Sequence, residues 1–213
     1  MRCALPKLAK SEFIGNGPVQ YRLQGPMEAP TRIEVRVDYT NAQTPHDYYV
    51  ADYFYVENLD PTVLFVFGKL NGGARKLRTR LEIFFPAMFF VNQLMASIKQ
   101  FHTILRQYAE KFGYDAAKPG QKELEADKTQ TLQSNNVLMV LSGGDSLMDF
   151  YYLSPREMYY KPRSKREVEL EPLARVIIDP PMLLGFLDEC TRISGPLIEK
   201  FQEAEYEHSV ESN

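Results

Sequence analysis

Two stretches of this chain follow one plan. "RTRLEIFFPAMFF" runs from Arg78 to Phe90 and "LARVIIDPPMLL" from Leu173 to Leu184. Each has a basic residue, an apolar run of strand length, a proline, then a methionine and two large apolar residues. Proline fits the first turn of a helix and disrupts a central strand, so each one marks a strand-to-helix junction. Writing that junction twice points to an internal duplication, which restricts the possible folds more than any other feature.

The similarity extends upstream. Laid without a gap, Tyr53–Leu70 falls on Val137–Ser154, an offset of 137 − 53 = 84. Val56 then meets Val140, Val63 meets Leu147, Val66 meets Phe150 and Phe67 meets Tyr151. The turn Leu59-Asp60-Pro61 meets Gly143-Gly144-Asp145. Pro86 falls on Pro180 at an offset of 180 − 86 = 94, so the second half carries 94 − 84 = 10 extra residues in a hairpin loop containing "REMYYKPRSKREVE".

The remaining organisation follows from periodicity. Residues 1–30 hold seven Pro and Gly residues (Pro6, Gly15, Gly17, Pro18, Gly25, Pro26 and Pro30) and read as an irregular arm. Arg32–Thr40 alternates apolar and polar residues with the period of a strand. "DYYVADYFYVENLDPTVLFVFGKL" reads as two strands around a turn, and Asn71-Gly72-Gly73 closes a hairpin onto Leu77–Phe85. Val91, Leu94, Ile98, Phe101, Leu105, Tyr108 and Phe112 recur at spacings of three and four, an amphipathic helix that Gly113 ends. The second helix carries Leu183, Leu187, Cys190, Ile193, Leu197 and Phe201, and Gly195-Pro196 is expected to kink or break it. The expected fold is α+β: antiparallel β-meanders, each followed by a long helix, pseudo-duplicated. The expected units are an arm at 1–30, a first repeat at 31–113, a polar linker at 114–134, a second repeat at 135–203 and a frayed acidic tail at 204–213.

The residues Tyr53, Val56, Phe65, Phe67, Gly68, Arg80, Pro86 and Leu94 carry a resemblance. An aromatic strand, an F-x-F-G-like strand, an Arg-containing strand ending in Pro and then a helix resemble a bacterial family of short domains of unknown function. The resemblance covers about Tyr48–Ser97, and more weakly Val137–Leu187. That family has a single copy of the pattern, and this chain has two. A sheet followed by a helix is also distantly similar to the export chaperone SecB, which implies a chaperone-like role by architecture alone.

Chemical motifs are sparse. "LSGGDSLMDF" lacks the lysine of a phosphate-binding loop, and Ser146-Leu147 stand where a diguanylate cyclase signature has Glu-Phe, so it reads as a hairpin turn. Asp145 and Asp149 form no set with a base and a nucleophile, and Ser142, Ser146 and Ser154 sit in no nucleophile elbow. His46, His102 and His208 are far apart, and Cys3 and Cys190 are the two cysteines. No metal site, cofactor site or disulfide framework is legible.

Two basic hairpins are candidate contacts for a partner or for single-stranded nucleic acid: Arg75, Lys76, Arg78 and Arg80 in the first half, Lys161, Arg163, Lys165 and Arg166 in the second. Arg78 and Arg80 are expected on the face opposite Leu77, Leu81 and Ile83. A net charge of −3 provides no global field for nucleic acid or anionic membrane. The longest apolar run, Ile83–Val91, is far short of a membrane span. Val63, Phe65 and Phe67 on one face and Leu64 and Val66 on the other leave one sheet face for helices and one for the second repeat, a partner subunit or a client.

The resulting expectation is a non-enzymatic protein-binding, scaffold or chaperone-like module in the cytoplasm. The alternative is a single-stranded nucleic-acid-binding protein. A homo-oligomer is expected, with the Val91–Phe112 seam or an open sheet face as its contact.

Overall fold

The computed structural model describes residues 19–22, 32–35, 42–72, 76–122, 124–142, 145–154 and 170–211. β1 (Val19–Arg22) and β2 (Arg32–Val35) form a separate two-stranded antiparallel sheet. The N-terminal arm is therefore not wholly irregular. The remaining strands form two four-stranded sheets, and the fold is α+β.

The first sheet has the order β4 (Tyr53–Asn58), β5 (Thr62–Leu70), β6 (Leu77–Pro86), β7 (Ala126–Gln133). The second has the order β3 (Tyr48–Val50), β10 (Glu171–Ile178), β9 (Asp145–Tyr152), β8 (Asn136–Ser142). Each sheet is an antiparallel meander of three strands plus a fourth strand paired in parallel. After β6 a single turn, Ala87–Phe89, leads through a π-helical turn, Phe90–Leu94, into α1 (Met95–Phe112). Gly113 ends α1 in the left-handed conformation, φ 69°, as its lack of a Cβ permits. After β10 comes α2 (Pro180–Glu211), which runs unbroken through Pro196 and on through the segment expected as a frayed tail.

The fourth strands reveal how the halves are joined. β3 immediately precedes the first meander but pairs with β10 of the second. β7 immediately precedes the second meander but pairs with β6 of the first. The two repeats have exchanged their leading strands. Residues 114–134 are therefore no linker, because β7 within them completes a sheet.

The exchange is symmetric at atomic detail. Ala51 N–H donates to Ile177 O and Asp52 N–H to Gly68 O. At the second crossing, Ser134 N–H donates to Phe84 O and Asn135 N–H to Tyr151 O. The side chain of each second residue then holds a strand end: Asp52 Oδ1 accepts Leu70 N–H at 2.6 Å, and Asn135 Oδ1 accepts Leu153 N–H at 2.8 Å.

These equivalences correct the alignment by one residue. Val56 opposite Phe65 matches Met139 opposite Met148, an offset of 148 − 65 = 83, and Ile83 matches Val176 at 176 − 83 = 93. The 93 − 83 = 10 extra residues of the second hairpin stand. The offsets of 84 and 94 do not, because a slip of one residue turns every strand side chain to the other face. Beyond the π turn, Ile98, Phe101 and Leu105 match Cys190, Ile193 and Leu197 at 190 − 98 = 92. A π turn accommodates one additional residue, which accounts for the change from 93.

One core is shared by both sheets and both helices. Phe54, Phe65 and Phe67 of the first sheet meet Phe186 of α2, with ring centroids 6.3, 5.2 and 5.3 Å away. Phe65 and Phe67 also lie 6.4 and 6.0 Å from Phe150 of the second sheet.

Candidate functional site

Two of the four cations of the first basic hairpin, Lys76 and Arg80, are paired within the chain. Lys76 Nζ lies 2.6 Å from Asp127, and Lys69 pairs with Asp52. Arg80 Nε lies 2.8 Å from Glu82 without hydrogen-bond geometry, while its Nη1 donates to Leu124 O. Arg78 is exposed. A register shift at Lys69/Leu70 turns Leu77 into the outer cluster with Leu64 and Val66, away from Leu81 and Ile83. Arg75, Lys161, Arg163, Lys165 and Arg166 lie outside the described residues.

The helical seam is largely used inside the subunit. Leu94, Ile98, Phe101 and Leu105 are buried in the shared core, and Val91 is half-buried against it. This corrects the expectation of a continuous oligomer seam, since core side chains are unavailable to a partner. Tyr108 and Phe112 alone of the seven are exposed, stacked on each other at the end of α1.

The outer faces of the two sheets differ. On the first sheet a strap, residues 114–122 and 124–125, leads from the end of α1 to β7. Ala117 N–H donates to Pro181 O on α2, and Gly120 N–H donates to Phe54 O at the edge of β4. Tyr53 O–H donates to Gln121 O, Lys122 pairs with Glu57, and Leu124 packs with the outer cluster. Gly120 is required here because a Cβ would fall 1.9 Å from the Tyr53 ring. Leu64 and Val66 are thereby buried under the chain's own strap, not under a second repeat, subunit or client.

On the second sheet the equivalent face carries a transverse row of apolar residues. Register places Val50, Ile177, Leu147 and Val140 side by side across all four strands. Val50 is 57% exposed and the other three are half-buried. The next row is Tyr48, Arg175, Asp149 and Leu138, with Tyr48 58% exposed. In its middle Arg175 Nε and Nη2 each donate to Asp149 at 2.6 Å. Asp149 is buried, so the bidentate pair supplies the hydrogen bonds a desolvated carboxylate needs. Buried Tyr151 also bonds Asp149, and its pKa is pushed up to about 12 by burial first and then by the Asp149 charge.

Among the described residues, other polar groups pair with one another or are buried singly. Asp188 joins the helices, accepting from Arg106 Nη2 at 2.7 and 2.9 Å and lying 2.7 Å from His102 Nε2. Cys190 is buried and its thiol pKa is raised well above the ordinary range by desolvation and then by Glu189, which suits a core position better than a nucleophile. Ser146 is buried, and β8 and β9 pair on either side of Gly143-Gly144, which lie outside the described residues. A groove of about 420 Å³ between β5, β6 and β7 is lined by Thr62, Phe84, Pro86, Thr131, Leu132 and Gln133, with no charged side chain. Among the described residues no group of three His, Cys, Asp or Glu could hold a metal, and no helix is long and apolar enough to cross a membrane.

No protein-family model matches this chain, and no curated protein does.

The outer row was missed in the sequence because the strands that build it are apolar on both faces. Its signal was available in "NVLMVLS" and "RVII", where period-two alternation is absent.

Proposed function

We propose that this chain is a non-enzymatic protein-binding module, of scaffold or chaperone-like type, acting in the cytoplasm. The supporting observation is the apolar row Val50–Ile177–Leu147–Val140, partly open on the second sheet where the first sheet's counterpart is strapped over. Apolar surface flanked by tyrosine and an internally paired Arg175 suits another polypeptide better than a phosphate backbone, which needs free cations. The pairing of Lys76 and Arg80 within the chain weakens the nucleic-acid reading.

The test is capture from host lysate by the unmodified chain and by a Tyr48→Ser/Val50→Glu variant. A partner recovered by the first and reduced at least about tenfold with the second, the equivalent of roughly 1.4 kcal/mol, supports the reading. Equal recovery with both overturns it, as does retention on single-stranded DNA that falls steeply with salt.

A further inference from the structure

The two sheets have four edges, and three of them are blunted. β4 is covered by the strap through Gly120 N–H and Phe54 O. β7 carries exposed Asp127 and Lys128, and charged side chains discourage strand addition. β3 has three residues, too few for an extended ladder. The fourth edge, β8, is "NVLMVLS": seven residues with no charge and no proline. Among the described residues no strand pairs with β8 on the side away from β9.

The symmetry of the repeats shows what this edge offers. Phe54 turns its carbonyl outward from β5, as its bond to Gly120 shows. Val137 is the equivalent residue, with the same register against its neighbour. Backbone groups alternate along a strand, so Val137, Met139 and Leu141 all present N–H and C=O outward.

We propose that the β8 edge binds a second copy of this chain, by antiparallel β8–β8 pairing about a two-fold axis at Met139. Several features of the edge match a copy of itself. With Met139 opposite its own equivalent, Val137 lies opposite Leu141 and Leu138 opposite Val140. All three outward-turned residues then meet outward-turned residues, giving about six inter-chain backbone hydrogen bonds. Inner side chains stay with inner and outer with outer, as the pleat requires. No like charges meet, because the strand has none. The contact is isologous, closes after two copies, and joins the second sheets into one of eight strands. It stands independently of what the outer face binds.

The experiment is mass by light scattering, with concentration-dependent hydrogen exchange on the unmodified protein. The expected mass is about twice the 24.6 kDa chain mass at micromolar concentration. Leu138→Lys/Val140→Lys sets lysines opposite lysines and should give monomer. Leu138→Lys/Val140→Glu sets lysine opposite glutamate in this register and should remain dimeric. Monomer for the unmodified chain up to about 100 μM overturns the proposal, a concentration at which a Kd in the mM range would leave little dimer. A dimer that survives the double-lysine change overturns it, and so does a Lys/Glu variant as monomeric as the Lys/Lys one. If the variants do not fold, exchange decides: Met139 and Leu141 amides should gain protection with concentration, and protection independent of concentration overturns the proposal.

Discussion

Asp52 and Asn135 do the same task with different chemistry. Each holds the end of its repeat's middle strand where the chain crosses between sheets. Asp52 is exposed and also meets Lys69 at 2.8 Å, whereas buried Asn135 uses its amide to donate to Leu153 O. The environment decides the residue: a carboxylate beside a lysine near water, an amide where both halves must be bonded. The buried Tyr151–Asp149–Arg175 group gives a pH prediction. A phenol whose folded pKa is near 12 holds its proton more tightly folded than unfolded. Its contribution is whole below pH 10 and is lost as pH rises toward 12. Between pH 9 and 11 the unmodified chain should lose about 1 kcal/mol more stability in urea titrations than Tyr151→Phe. Tyr49, Tyr53 and Tyr114 are shifted in the same direction by burial, so the variant retains part of the dependence. Equal losses in the two proteins would show that Tyr151 ionises as easily folded as unfolded.

Among the elements, the strap makes the two halves unequal. It follows α1, passes the first turn of α2 and closes the outer face of the first sheet. Its passage depends on Gly185, where an added Cβ would lie 2.0 Å from Ala117 O, a backbone atom that cannot swing away. In a free helix, Gly→Ala gains about 1 kcal/mol. Here the clash outweighs that gain, so Gly185→Ala should lower stability by about 1–3 kcal/mol. Protease cleavage should also appear between residues 114 and 125. A more stable Gly185→Ala protein would mean that helix propensity dominates and the strap yields. The π turn before α1 is the other asymmetric element, taking up the residue that keeps Ile98 and Leu105 on the core side.

Across the whole molecule, exchange of leading strands binds the repeats into one folding unit. Neither sheet is complete without a strand from the other half. Tyr49 of β3 and Gln130 of β7 hydrogen-bond to each other, so the two exchanged strands also meet. Residues 42–122 expressed alone would lack β7 and would expose the inner Phe54, Phe65 and Phe67 that Phe150 and Phe186 cover. That fragment, and residues 124–213, should each lack a cooperative thermal transition, and mixing them should restore one. Two independent transitions from the separate fragments would show that the exchange is dispensable.

The sequence by itself determined the number of meanders, the strand-to-helix junctions at Pro86 and Pro180, the C-terminus of α1 at Gly113 and the longer second hairpin. These are local facts, set by proline and glycine stereochemistry and by a 3.6-residue period that needs no partner to be read. Only the tertiary structure decided which face each strand turns inward, because Val63–Phe67 and Val137–Leu141 are apolar on both faces and leave a one-residue slip undetected. It alone decided the exchange of β3 and β7, since "ADKTQTLQ" is polar at most positions and becomes a strand through the ladder β6 offers. It alone also decided that Lys76 meets Asp127, that the strap covers one outer face, and that β8 is left as a seven-residue edge without charge. Each depends on contacts between residues far apart in the chain, which propensity does not encode.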